Sequence, residues 1–248
     1  MIAYNLETII EKLPSGVKLV AVSKFHPFEA ILEAYSEGQR AFGENRPQEF
    51  AAKAVQLPPD IEWHFIGHLQ TNKLKLVLPY AYLVESIDTL HLLEAVNNWG
   101  EKNGKTIQVL LEVHIGAEET KQGFTPSEVK AVLQMAREFP YVRFRGLMGM
   151  ASHTDDEEAV AADFAKIESL FDECRGQFPA LDGFDQLSIG MSDDWPIAVR
   201  HGSTEVRIGT AIFGNREYWS YEDIPFSIDG LPFVRPCFLQ DGCKACDS

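Results

Sequence analysis

Short, nearly continuous apolar runs alternate along this chain with longer stretches whose apolar residues recur every three or four positions. The run over residues 18–24, KLVAVSK, is almost wholly apolar, as expected of a strand covered on both faces. Residues 27–38 follow with helical spacing: Pro27 stands at the start, and Phe28, Ile31, Leu32 and Tyr35 lie along one face. The same alternation predicts strands over 40–43, 62–67, 82–87, 106–115, 142–148, 184–189 and 205–213. Between them it predicts helices over 47–56, 70–78, 89–103, 155–178 and 193–200. A further helix ends near residue 139, with Thr125 and Ser127 as caps.

Eight strands alternating with seven helices imply parallel pairing with right-handed crossovers. At 248 residues this points to an α/β fold closed as a (β/α)8 TIM barrel, rather than an open doubly wound sheet. The glycine-rich dinucleotide signal G-x-G-x-x-G is also missing after the first strand. The barrel is expected to occupy residues 1–218 as a single domain. Residues 219–248, rich in Pro, aromatics and Cys without a clear period, read as an irregular C-terminal tail.

Composition narrows the function classes. A hydrophobic fraction of 45% is enough for a real core. With 22 basic against 37 acidic residues, the net charge of -15 makes a nucleic-acid backbone a poor partner. A single pocket can still be basic. No run reaches the ~18 apolar residues of a membrane span, and the start MIAYNLETIIEK lacks the pattern of a secretory signal. Three of the four cysteines, Cys237, Cys243 and Cys246, crowd into the last dozen residues, with Cys174 far away. They make no disulfide framework, and one CxxC plus one cysteine falls short of the usual four zinc ligands. The chain is therefore expected to be cytoplasmic, without a metal and without a membrane partner.

A barrel of this kind carries its site at the C-terminal ends of its strands. Lys24 ends the first strand. An amine in a low-dielectric site loses its charge more easily and can attack an aldehyde to form a Schiff base; the plainer reading is a solvated lysine at a strand end. Ile189-Gly190-Met191-Ser192 follows the seventh strand, and Arg207-Ile208-Gly209-Thr210 lies in or after the eighth. Loops there often bind phosphate through backbone N–H groups and hydroxyls, although turn chemistry and an N-cap at Ser192 would explain the same residues. Arg207, if it points inward, needs an acceptor: Glu112 or Glu85, or a pyridine nitrogen of a ligand. His64 and His114 read as interior residues rather than ligands, and Asp193 and Asp194 as features of a helix start. Lysine and phosphate cradle together suit a phosphorylated aldehyde.

Four segments occur in order: AVSK at 21–24, FGEN at 42–45, WHFIGHLQTNK at 63–73, and GST-x-VRIG-x-AIFG at 202–214. Together they closely resemble the pyridoxal phosphate homeostasis protein family over roughly residues 17–218. The resemblance implies a barrel like the N-terminal domain of alanine racemase, with pyridoxal 5'-phosphate as the cofactor. It places Lys24 at the lysine that joins the cofactor as an aldimine and Arg207 at the arginine facing the pyridine nitrogen. Asn45 falls on the pocket lining, and Met191, Ser192, Ser203, Thr204, Gly209 and Thr210 on segments that hold or approach the cofactor and its phosphate. It also implies a role in pyridoxal phosphate supply without robust turnover, and so no catalytic residues. Three departures stand out: Arg46-Pro47 follows FGEN; the segment before Lys24 is short, so a leading helix is expected to be trimmed; and the Cys-containing tail after Tyr218 is longer than the common ending.

Two further readings compete. A small amino acid racemase using the same cofactor would need a second acid/base on the opposite face of the cofactor. In racemases that group comes from an additional domain, for which a chain filled by one barrel has no room. A Schiff-base aldolase using Lys24 would need no pyridoxal phosphate and would be colourless. The expected partners are pyridoxal phosphate and, as candidate recipients, apo pyridoxal-phosphate enzymes; the barrel is expected to act as a monomer.

Overall fold

The computed structural model describes residues 1–116 and 122–214. The predicted tail over 219–248 and its cysteines lie outside the described residues. In chain order the elements are α1 (Ile2–Lys12), β1 (Lys18–Val22), α2 (Phe28–Ser36), β2 (Ala41–Glu44), α3 (Pro47–Gln56) and β3 (Glu62–Phe65). Then come α4 (Leu74–Val77), β4 (Leu83–Ile87), α5 (Leu90–Asn103), β5 (Ile107–Val113), α6 (Pro126–Gln134) and β6 (Val142–Gly149). The last are α7 (Glu157–Gln177), β7 (Gln186–Ser188), α8 (Trp195–Arg200), β8 (Glu205–Ile208) and α9 (Thr210–Phe213).

The eight strands close into a parallel barrel in sequence order. Closure is made by β1 on β8, with Lys18 opposite Glu205 and Ala21 opposite Ile208. Between strands and helices lies one large apolar core, in which Phe42, Phe50, Phe65, Phe164 and Ile31 are fully buried. Leu83, Leu110 and Met148 form a separate buried group. No helix among the described residues is long and apolar enough to cross a membrane.

Local chemistry accounts for most of the boundaries. Thr125 and Glu128 form a reciprocal capping box at the start of α6. Gly104 ends α5 in a left-handed turn at φ 61°. Pro47 takes the first position of α3, where its missing N–H costs nothing, so the unusual Arg46-Pro47 pair is a helix start.

The structure departs from the sequence reading in the last strand, and it gives the leading helix its bounds. The chain opens with an 11-residue helix, α1, burying Leu6 and Ile9. It packs on α9, where the Asn5 side-chain amide donates to the Ile212 carbonyl at 2.9 Å. The predicted strand over 205–213 is two elements. It leaves the sheet at Gly209, where a Cβ would lie 3.1 Å from the Val22 carbonyl oxygen, and the next four residues turn into α9. A continuous apolar run cannot by itself separate strand from buried helix.

Candidate functional site

The lumen of the barrel is charged. His64 on β3 meets Glu85 on β4 at 2.8 Å and Glu205 on β8 at 3.4 Å. β3 and β8 are not paired, so the second contact crosses the barrel's inside. Burial alone would lower the His64 imidazole, but Glu205 and Glu85 outweigh it and hold it up at about 9. The three groups are close enough to suggest a metal, yet the Nδ1 hydrogen bond to Glu85 makes them an ion-paired cluster.

Arg207 sits above this cluster and is 4% exposed. Its guanidinium donates to the carbonyl and hydroxyl of Ser188 and to the Gly149 carbonyl at 3.0 Å. Glu85 lies 3.6 Å from it, and the Ser188 hydroxyl donates to Glu85 at 2.6 Å. The side chain therefore points inward as expected, and Glu85 is its ion-pair partner. Glu112 acts on it only through space.

A cavity of about 450 Å3 opens at the C-terminal ends of the strands. Lys24, Asn45, Met191, Ser192, Arg207, Gly209 and Thr210, which come from four separated stretches of chain, all line it. Ser192 and Gly209 join the last two loops, the Gly209 N–H donating to the Ser192 hydroxyl at 3.4 Å. The Arg207 N–H donates to the Gly190 carbonyl at 3.0 Å. Asp194 stands at the start of α8 and accepts from the Met191 N–H. Asp193 and Asp194 thus belong to a helix start, with Asp194, not Ser192, at the cap.

Ser203 and Thr204 are a correction. They precede β8 and so stand at the foot of the barrel, away from the mouth. The Ser203 hydroxyl donates to the Ile189 and Glu205 carbonyls at 2.8 and 3.0 Å. The Thr204 hydroxyl accepts from the Leu187 N–H at 2.8 Å. Both hydroxyls knit the entry of β8 onto β7, and neither residue lines the cavity.

Three polar residues in the wall were passed over from sequence: His26, Gln122 and His153. His68, which falls in the WHFIGHLQTNK segment without a role of its own, and Glu112, noted only as a partner for Arg207, also line it. The signal was available, since each follows or ends a strand. His26 is buried and stacks on Phe213 with ring centroids 4.9 Å apart. His68 pairs with Asp88 at 3.1 Å. Two buried oxygens in the wall, Asn45 Oδ1 and Glu112 Oε2, have no hydrogen-bond partner among the described residues. Burial pushes the Glu112 carboxyl up to about 7; Asp88 adds to the rise, while Arg207 and His68 oppose it.

The alanine racemase N-terminal domain family matches this chain over residues 1–217. A pyridoxal phosphate homeostasis protein of Vibrio alginolyticus is 42% identical over 212 residues, covering 84% of this chain and 90% of the relative. The chain belongs to the pyridoxal phosphate homeostasis protein family. The human protein of that name is 39% identical over 213 residues, 81% of this chain and 77% of its own. Among solved structures, PipY of Synechococcus elongatus with pyridoxal phosphate bound is 37% identical, with a TM-score of 0.80 over 86% of this chain and all of PipY. An alanine racemase from E. faecalis shares the fold, at 20% identity and a TM-score of 0.65. These relatives are named for the homeostasis of pyridoxal phosphate, not for a reaction.

Proposed function

We propose that this protein holds pyridoxal 5'-phosphate in the cavity at the barrel mouth and takes part in its intracellular supply, without robust catalysis. The observation that carries the reading is the convergence of Lys24, Arg207 and the Ser192–Gly209 loop pair on one cavity. The unpartnered Asn45 and Glu112 oxygens support it, because buried polar atoms without partners are costly unless a ligand satisfies them.

The residues divide the work. Lys24, half-buried at the end of β1, would hold the aldehyde end. Ser192, Gly209 and Thr210 would hold the phosphate, where Gly209 lets the backbone come close. Arg207 would face the ring nitrogen. An arginine does not give up its proton, and Ser188, Gly149 and Glu85 hold this one in place. A ring nitrogen facing it stays unprotonated, which weakens the ring as an electron sink. When bound, the cofactor supplies an aldehyde carbon that reacts with amines. Ser203 and Thr204 have no part in this.

The purified protein should be yellow after reconstitution. Lys24→Ala should abolish the visible band and the mass increment trapped by borohydride; a Lys24→Ala protein with an unchanged spectrum would sink the assignment. Glu112 is the observation that keeps a racemase-like activity in view, since it is a titratable group in the cavity wall. Sustained deuterium incorporation at an amino acid Cα, lost in Glu112→Gln, would select that reading. The reading extends to a cytoplasmic monomer that hands the cofactor to apo-enzymes; the family's name supports the role in homeostasis. Size-exclusion chromatography and transfer to an apo-transaminase test those two points.

A further inference from the structure

The backbone on both sides of Lys24 is tied to one buried ionic cluster. Lys53 on α3 is completely buried, and its ammonium donates to the Ser23 carbonyl at 2.8 Å. It also donates to Glu44 Oε1 at 2.7 Å and Glu49 Oε1 at 2.8 Å. Glu44 accepts in addition from the Ser23 hydroxyl at 2.6 Å. Glu49 accepts from the Phe25 backbone N–H at 2.7 Å. Residues 23 and 25 are thus held by the same three side chains, and Lys24 lies between them.

The segment they hold is unusual. Phe25 has φ 66°, the one left-handed position outside glycine among the described residues. Side chains with a Cβ rarely take that conformation and need surrounding contacts to keep it. Here the contact is specific: the Phe25 N–H runs into a buried carboxylate, while the Arg46 guanidinium lies 4.3 Å from the centroid of the Phe25 ring. The turn carries the chain out of β1 at the point where Lys24 joins the cavity wall. An ionic cluster is also a costly way to join a helix to two strands, because an apolar trio of similar volume would pack the same space without desolvating three charges.

We propose that Glu49, with Lys53 and Glu44, is a positioning residue that fixes the turn at Ser23–Phe25 and so aims the Lys24 amine at the cofactor's aldehyde. This rests on the reading of Lys24 given above. The three side chains of the cluster do not line the cavity. Their effect is geometric: they set where the Lys24 backbone stands relative to the Ser192–Gly209 loop pair, and reaction rates at a positioned amine fall steeply with small misplacements.

The test compares two mild substitutions that separate geometry from charge. Glu49→Asp keeps the negative charge beside Lys53 but pulls the carboxylate back by one methylene from the Phe25 N–H. Glu49→Gln removes the charge but keeps an oxygen at full reach. The measurements are the second-order rate of pyridoxal 5'-phosphate uptake from the visible band, the wavelength of that band, and the rate of Lys24 acetylation in the ligand-free protein by mass spectrometry. Melting of each variant is recorded beside them. The expected result is uptake at least tenfold slower in Glu49→Asp, with altered Lys24 acetylation, and uptake within threefold of the parent in Glu49→Gln. Uptake within threefold of the parent in Glu49→Asp overturns the proposal. So does equal slowing in both variants, which would mean a role through charge or general stability. A parallel Lys24→Ala control separates the two ideas. If it takes up cofactor normally, the reading of Lys24 has failed; if it is blank while Glu49→Asp is normal, only the positioning role has failed.

Discussion

Glu112 shows how one residue can be out of balance with its surroundings. It is 3% exposed, its Oε2 has no partner among the described residues, and burial lifts its carboxyl to about 7. The folded chain therefore holds this proton more tightly than the unfolded chain, whose glutamate titrates near its ordinary value. Between roughly pH 4.5 and 7 unfolding releases a proton, so stability drains away as the pH rises through that window and stays lower above it. Glu112→Gln removes this term. In the ligand-free protein the variant should gain on the parent as pH rises, by on the order of 3 kcal/mol above pH 8. Thermal melts from pH 4.5 to 9 would show it, and parallel curves for the two proteins would exclude Glu112 as the group. Glu112 was visible in the sequence as a charge within an apolar run and a candidate partner for Arg207. That its carboxylate would be left unpaired depends on Arg207 being satisfied elsewhere, by Ser188, Gly149 and Glu85.

At the scale of elements, glycines set how closely the loops of the mouth approach one another. A Cβ on Gly67 would lie 2.1 Å from the Asn45 carbonyl oxygen and 2.6 Å from its Cα. Both are backbone atoms that no side-chain rotation can clear. Gly67→Ala must therefore push the end of β3 away from the end of β2 and displace Asn45. We expect a loss of about 1–3 kcal/mol, the usual range for overpacking, with pyridoxal 5'-phosphate affinity down at least tenfold; calorimetry and spectral titration measure the two. Gly146 makes the corresponding approach inside the sheet, at φ 153° with a virtual Cβ 1.7 Å from the Gln186 carbonyl oxygen. It sits beside the register shift between β5 and β6. The alternation of elements was legible in the apolar pattern, because both-face burial and one-face burial leave different periods. Helix α1 and the break at Gly209 were not. The first is short, and its burial depends on α9, which follows it by some 200 residues in the chain. The second lies where Gly209 comes close to the Val22 carbonyl, an approach that exists only once β1 and β8 are paired.

For the whole molecule, closing the sheet encloses a lumen that holds titratable side chains rather than an apolar plug. His64, Glu85, Glu205 and Arg207 meet there from three strands. Such a lumen is expensive unless every member has a partner, and its upper end opens on the cavity. Ligand binding should therefore be read out by the entire fold. At free pyridoxal 5'-phosphate a hundredfold above its dissociation constant, mass action adds about 2.7 kcal/mol, and the melting temperature should rise by several degrees. Lys24→Ala should show little of that rise. A full rise in Lys24→Ala would mean that the stabilising contacts lie elsewhere in the cavity.

The sequence alone determined the class of fold, the order of its strands and the four segments that carry the family resemblance. Each of these is written in local spacing, and βα alternation leaves few topologies. It also marked Lys24, Asn45, Met191, Ser192, Arg207, Gly209 and Thr210 as residues of the strand ends, where barrels keep their sites. Only the tertiary structure decided which of the marked residues share a cavity. It left Ser203 and Thr204, which enter β8 rather than leave it, at the foot of the barrel and out of the cavity. It paired Arg207 with Glu85 instead of Glu112, and it tied both flanks of Lys24 to Lys53 through Glu44 and Glu49. The physical reason is the same in each case. Hydrogen bonds and ion pairs between distant segments depend on how closed strands are staggered, and that stagger is fixed by packing all eight at once.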